Sequence, residues 1–89
     1  MEVIEIYMDT VKGTATLMEN TALYAIWKIT FGDEYLLIQH NYTKAETYEF
    51  NECSTGILIK EAYQQLPMIM RQIDQAVKAK RPKPPKRYR

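Results

Sequence analysis

Apolar and polar positions alternate along most of the first fifty residues and then change period. In Glu2-Val3-Ile4-Glu5-Ile6-Tyr7-Met8, the residues Ile4, Ile6 and Met8 alternate with Glu5 and Tyr7. β-Branched and aromatic residues dominate, which predicts a strand with one face inward. After Asp9-Thr10, the threonine-rich run Val11 to Met18 reads as a second strand, with a bend or bulge expected at Gly13.

The segment from Ala22 to Tyr42 carries the clearest local pattern. Two apolar runs flank Gly32-Asp33, and glycine at the first central position suits a two-residue type II′ turn. A hairpin closed by Phe31 and Glu34 sets Trp27 opposite Ile38, Ile29 opposite Leu36 and Ala25 opposite His40. Leu23, Ala25, Trp27, Ile29, Phe31, Leu36, Ile38, His40 and Tyr42 then share the predicted core face. The other face carries Tyr24, Ile26, Lys28, Thr30, Tyr35, Leu37, Gln39 and Asn41, which is too apolar for ordinary solvent exposure. Thr47 to Phe50 reads as a further short strand after Thr43-Lys44-Ala45.

From Ile59 the apolar residues recur at 59, 62, 63, 66, 69, 70, 73, 76 and 77, the three- and four-residue steps of a helix. Ser54-Thr55-Gly56 is placed to open that helix by side-chain capping. Pro67 lacks an amide hydrogen and crowds the preceding turn, so a kink or two abutting helices are expected there. The fold class that follows is α+β: an antiparallel meander of four or five strands packed against a kinked helix or two short helices. Ile59, Leu66 and Ile73, with Ala62, Ile69 and Ala76, also match a short heptad seam between subunits, but packing on the Trp27 face is the simpler use of the stripe.

Length limits the chain to one domain, since 89 residues leave no room for a second. The expected division is a domain over 1–79 and a basic, proline-rich, disordered tail over 80–89. With a single cysteine, Cys53, and a single histidine, His40, neither an internal disulfide nor a zinc site of the usual kind can be assembled within one chain, and no cofactor is expected. No apolar run approaches a membrane span, and Met1-Glu2-Val3-Ile4-Glu5 lacks the basic start of a signal peptide. The expectation is a soluble, intracellular, cytoplasmic protein.

Charge changes this picture most. Residues 78–89 hold seven cations, Lys78, Lys80, Arg81, Lys83, Lys86, Arg87 and Arg89, and no anion, whereas residues 1–77 hold five basic against eleven acidic groups, a net of −6. Cations at that density release counterions from a phosphate backbone. Arginine adds bidentate contacts and stacking, and Tyr88 offers one aromatic surface, a mixture that favours RNA over duplex DNA. Competing uses of the tail are docking of Pro82-Lys83-Pro84-Pro85-Lys86-Arg87 on an SH3-type groove, nuclear localisation, or plain solubilisation.

Catalysis finds little support. Cys53 and His40 lie thirteen residues apart with nothing that brings them together, and Asp33-Glu34 sits in a hairpin turn where solvation explains it. Glu46, Glu49 and Glu52 suit an edge strand, where charge discourages stray pairing. Tyr24, Ile26, Tyr35 and Leu37 describe a contact surface between subunits better than a base-stacking platform, because cations are few among them. The leading expectation is therefore a non-enzymatic accessory protein, a homodimer that binds nucleic acid, RNA above all, through its tail. The alternative is a protein-binding inhibitor or adaptor, of the texture common among phage and mobile-element accessory proteins, acting through its acidic body, sheet face or proline-rich tail.

Overall fold

The structure is a computed structural model that describes residues 2–42 and 47–80. Five strands, β1 (Val3–Met8), β2 (Val11–Asn20), β3 (Tyr24–Phe31), β4 (Glu34–Asn41) and β5 (Thr47–Cys53), precede two helices, α1 (Ile57–Gln64) and α2 (Leu66–Lys80). The strands form one antiparallel meander in sequence order, so every strand pairs with its chain neighbours. Both helices cover the same face, α2 over β1 and α1 over β3 and β4. This is an α+β fold with five strands and two helices.

The β3–β4 hairpin has the predicted register: Phe31 pairs with Glu34, Ile29 with Leu36, Trp27 with Ile38 and Ala25 with His40. Gly32 takes a positive φ of 62° and Asp33 does not, as a type II′ turn requires. Alternation along these strands sends Ala25, Trp27, Ile29, Phe31, Leu36 and Ile38 beneath the helices, where they join Ile4, Ile6, Met8 and Ala15. The predicted core face is too long, however. Leu23 is 68% exposed and Tyr42 43%, and His40 is only half-buried, because Leu23 precedes β3 and a hollow separates His40 and Tyr42 from close packing with α2.

Two further expectations need correction. Gly13 makes no bulge: it pairs regularly with Ile6, and the irregularity of β2 lies between Leu17 and Glu19. Gly13 is needed for space, since a β-carbon there would meet the Phe31 ring and the Thr30 carbonyl oxygen. β5 is longer than Thr47 to Phe50, running on to Cys53 past a bulge that leaves Asn51 extra between Phe50 and Glu52.

The helical stripe breaks at Gln65 into two helices, and Pro67 falls in the first turn of α2, where a missing N–H costs no helical hydrogen bond. The Gln65 carbonyl accepts from Met68 N and Ile69 N, both at 3.1 Å, so α2 starts directly from the end of α1. Ile59, Ala62, Ile69, Met70 and Ile73 are buried against the sheet, which assigns the heptad-like positions to packing within the chain. Tyr63, counted in the stripe, stays 54% exposed.

Capping of α1 also differs from expectation. Gly56 is the N-cap with no side-chain cap of its own, and Ser54 turns to β4, where its Oγ accepts from Tyr35 N at 2.9 Å. Glu34, at the hairpin turn, supplies the cap from a distance: Ile59 N donates to its Oε1 at 2.9 Å. A carboxylate at this position also suits the partial positive charge of a helix N-terminus. Gly56 holds a φ of +153°, and a β-carbon on it would collide with the Glu34 carboxylate. The tail expected over 80–89 falls, beyond Lys80, outside the described residues.

Glu34→Ala is predicted to lower unfolding free energy by about 1 kcal/mol through loss of the cap. Gly56→Ala should cost about 2 kcal/mol, because it adds backbone strain and displaces the same carboxylate. Urea unfolding checks both, and a Gly56→Ala protein as stable as the parent contradicts this account of how α1 begins.

Candidate functional site

The basic segment begins on the last turn of α2. Lys78 is exposed and pairs with Asp74 one turn earlier, Nζ to Oδ2 at 3.1 Å. Exposed pairs of this spacing contribute only a few tenths of a kcal/mol, so Lys78 is readily given up to a phosphate. Lys80 closes the helix, while Arg81, Lys83, Lys86, Arg87, Tyr88 and Arg89 lie outside the described residues.

Tyr24, Ile26, Tyr35 and Leu37 share the sheet face away from the helices, with Ile26 and Leu37 mid-hairpin and the two tyrosines at its opposite ends, and all four are half-buried. The hydroxyls are already engaged. Tyr24 Oη donates to Glu19 Oε2 at 2.9 Å and Tyr35 Oη to Glu52 Oε2 at 2.6 Å, while Lys28 Nζ lies 5.0 Å from the Tyr35 ring centroid. Asn41 Nδ2 donates to Glu49 Oε2 at 2.7 Å. Among the described residues the charges on this face are Lys12 and Lys28 against Glu5, Glu19, Glu49 and Glu52. An apolar centre ringed mostly by carboxylates repels a phosphate backbone and accepts a protein surface more readily.

On the helix side, two hollows flank the covered region. One, of about 350 Å³, has Trp27 and His40 among its walls, with Glu2, Tyr42, Ile73 and Asp74 around them. The His40 ring sits 5.1 Å from that of Tyr42 and 4.8 Å from that of Tyr48. The other, of about 630 Å³, is a groove between β5 and α1 walled mainly by Leu36, Phe50, Cys53, Ile59 and Tyr63. Phe50 and Tyr63 meet edge to face, with ring centroids 5.7 Å apart.

These positions separate the chain's single cysteine from its single histidine. Cys53 pairs with Leu36 and His40 with Tyr48, which places them four residues apart along β4, about 13 Å at the usual strand rise. They cannot form a dyad in this fold. Among the described residues no group of three or more His, Cys, Asp or Glu side chains is arranged to hold a metal ion. No helix among them is long and apolar enough to cross a membrane.

The groove is what the sequence pattern missed. Tyr63 looks like core by its helical spacing, and the short form of β5 places Phe50 at a strand end, so neither reads as part of a surface. The usable signal was the alternation Tyr48, Phe50 continuing toward Cys53, which the bulge at Asn51 interrupts.

The hydrogen bonds on the open face predict a titration. Donation to Glu52 and to Glu19, followed by the charge of the same carboxylates, raises the pKa of Tyr35 and of Tyr24 above the ordinary 10.0. A raised folded pKa means stability that is in full below pH 10 and is lost as pH climbs through the raised values. Titration at 295 nm should show Tyr35 ionising late in the parent and nearer its ordinary value in Glu52→Gln. No family model, no curated protein and no solved structure matches this chain.

Proposed function

We propose that this chain is a small, non-enzymatic accessory protein that binds nucleic acid, RNA in preference to DNA, through its basic C-terminal segment. The observation that carries the reading is the segregation of charge: seven cations and no anion from Lys78 to Arg89, on a body of net charge −6. The cations are Lys78, Lys80, Arg81, Lys83, Lys86, Arg87 and Arg89, with Tyr88 available to stack on a base. The start of the segment in the last turn of α2 supports the reading, because Lys78 is exposed there and held only by an exposed pair with Asp74.

The body then acts as a carrier. A second copy across the open face, with Ile26 and Leu37 at the centre and Tyr24 and Tyr35 around them, presents two tails to one polyanion and raises apparent affinity through effective concentration. A second reading, a protein-binding adaptor, is favoured by one observation: Phe50 and Tyr63 remain 48% and 54% exposed beside an apolar groove.

Fluorescence anisotropy with labelled single-stranded RNA, duplex RNA and duplex DNA tests the tail. Binding should fall with salt at a logarithmic slope of roughly −4 to −6 on duplex DNA, as five to seven phosphate contacts require. It should vanish in a chain ending at Ala79, and single-stranded or folded RNA should compete best. Unchanged affinity after truncation ends this reading. Sedimentation of Leu37→Lys tests the carrier: a parent dimer should become a monomer, and a monomeric parent contradicts the two-tail arrangement.

A further inference from the structure

The two edges of the sheet are treated differently. On β1, the outward backbone of Tyr7 is taken: its N–H donates to Gln72 Oε1 at 2.8 Å, and its carbonyl accepts from Gln72 Nε2 at 2.7 Å. One side-chain amide of α2 thus reproduces the pair of hydrogen bonds of a neighbouring strand at Tyr7 and occupies that edge there. Among the described residues β5 pairs only with β4, and all seven residues of β5 are exposed. An uncovered edge offers a row of backbone donors and acceptors to another strand.

Chemistry beside that edge narrows what fits. Leu37 pairs with Glu52, Ile38 with Phe50 and Gln39 with Glu49, so three consecutive residues of β4 span four of β5, with Asn51 extra. A strand on the other side of β5 that matches the same rungs places residue i beside Glu52, residue i+1 beside Phe50 and residue i+2 beside Glu49. Residue i+1 faces the groove of Leu36, Phe50, Ile59 and Tyr63. Residues i and i+2 face the two carboxylates. Those are held in place by neutral donors, Tyr35 Oη and Asn41 Nδ2, and neither carboxylate meets a cation among the described residues.

We propose that β5 and its groove bind an extended segment of a partner protein as a sixth strand, and that they select a basic–apolar–basic alternation. The backbone edge supplies affinity, the groove takes the apolar side chain, and Glu49 and Glu52 pair with the flanking lysines or arginines. A second copy of β5 fits poorly. Centring the antiparallel pair on Glu49 or on Phe50 sets Glu49 against Glu49 or against Glu52, like charges in direct opposition, and centring it on Tyr48 leaves only a short overlap. The proposal rests on the adaptor reading and uses none of the tail.

The test uses the full chain and two labelled peptides of equal composition and charge, one centred on Arg-Val-Arg and the other on Arg-Arg-Val. Anisotropy should show the first binding about tenfold or more tightly than the second. Cys53 lies in the groove, is exposed and is the chain's single cysteine, so it serves as reporter: the Arg-Val-Arg peptide should slow its alkylation by iodoacetamide. Glu49→Lys combined with Glu52→Lys should abolish both effects. Both positions are exposed, and an unchanged circular dichroism melt confirms that the variant folds.

Equal affinity for the two peptides, or no change in Cys53 alkylation, overturns the proposal. Self-association that the double variant abolishes also overturns it, by assigning the edge to a second copy, whose own terminal Arg87-Tyr88-Arg89 carries the same alternation. A nuclease-resistant protein partner recovered alongside a failed peptide test leaves the adaptor reading standing and moves its surface away from β5.

Discussion

A helix pair narrower than the sheet beneath it governs this structure. Burial of one sheet face is the main stabilising term available to a disulfide-free chain of this length, and the stripe of α1 and α2 provides it. The two helices lie over β1 and over β3 with β4, around Trp27, Ile29, Phe31 and Ile38. β5 receives no such cover. The first edge is occupied at Tyr7 by Gln72, and the last edge is left with Phe50 and the Tyr63 ring facing solvent.

That asymmetry organises the functional surfaces. The sheet face away from the helices carries an apolar centre inside a ring of carboxylates, suited to protein contact and repellent to phosphate. Along the sequence the cations are concentrated from Lys78 onward, after the strands that carry most of the carboxylates. On the proposed function, this separation of the two signs along the sequence serves two classes of partner, protein at the acidic body and polyanion at the basic segment.

Much of the fold was legible because its decisive signals are local. Gly32-Asp33 locates a turn, and once a two-residue turn is located the whole β3–β4 register follows. The period change at Ile59 and the proline at 67 likewise announce a broken helix. What escaped depends on contacts distant in sequence. Alternation gives the face of Leu23 and Tyr42 but not how far the helix layer reaches, so both were assigned to a core that ends short of them. The cap of Ile59 comes from Glu34 and the seal on Tyr7 from Gln72, 25 and 65 residues away, with no local pattern to announce either. The groove was hidden for a related reason: a single extra residue, Asn51, reverses the alternation of β5 and makes its exposed end look irregular.

Native-state amide hydrogen exchange on the full chain tests the central claim most directly. The account predicts slow exchange at Tyr7, whose outward N–H is held by Gln72, and fast exchange at the outward-pointing amides of β5, which have no partner strand among the described residues. Uniform protection of β5, or a Tyr7 amide that exchanges as fast as those of β5, would contradict it and require a fold in which the helices close the other edge.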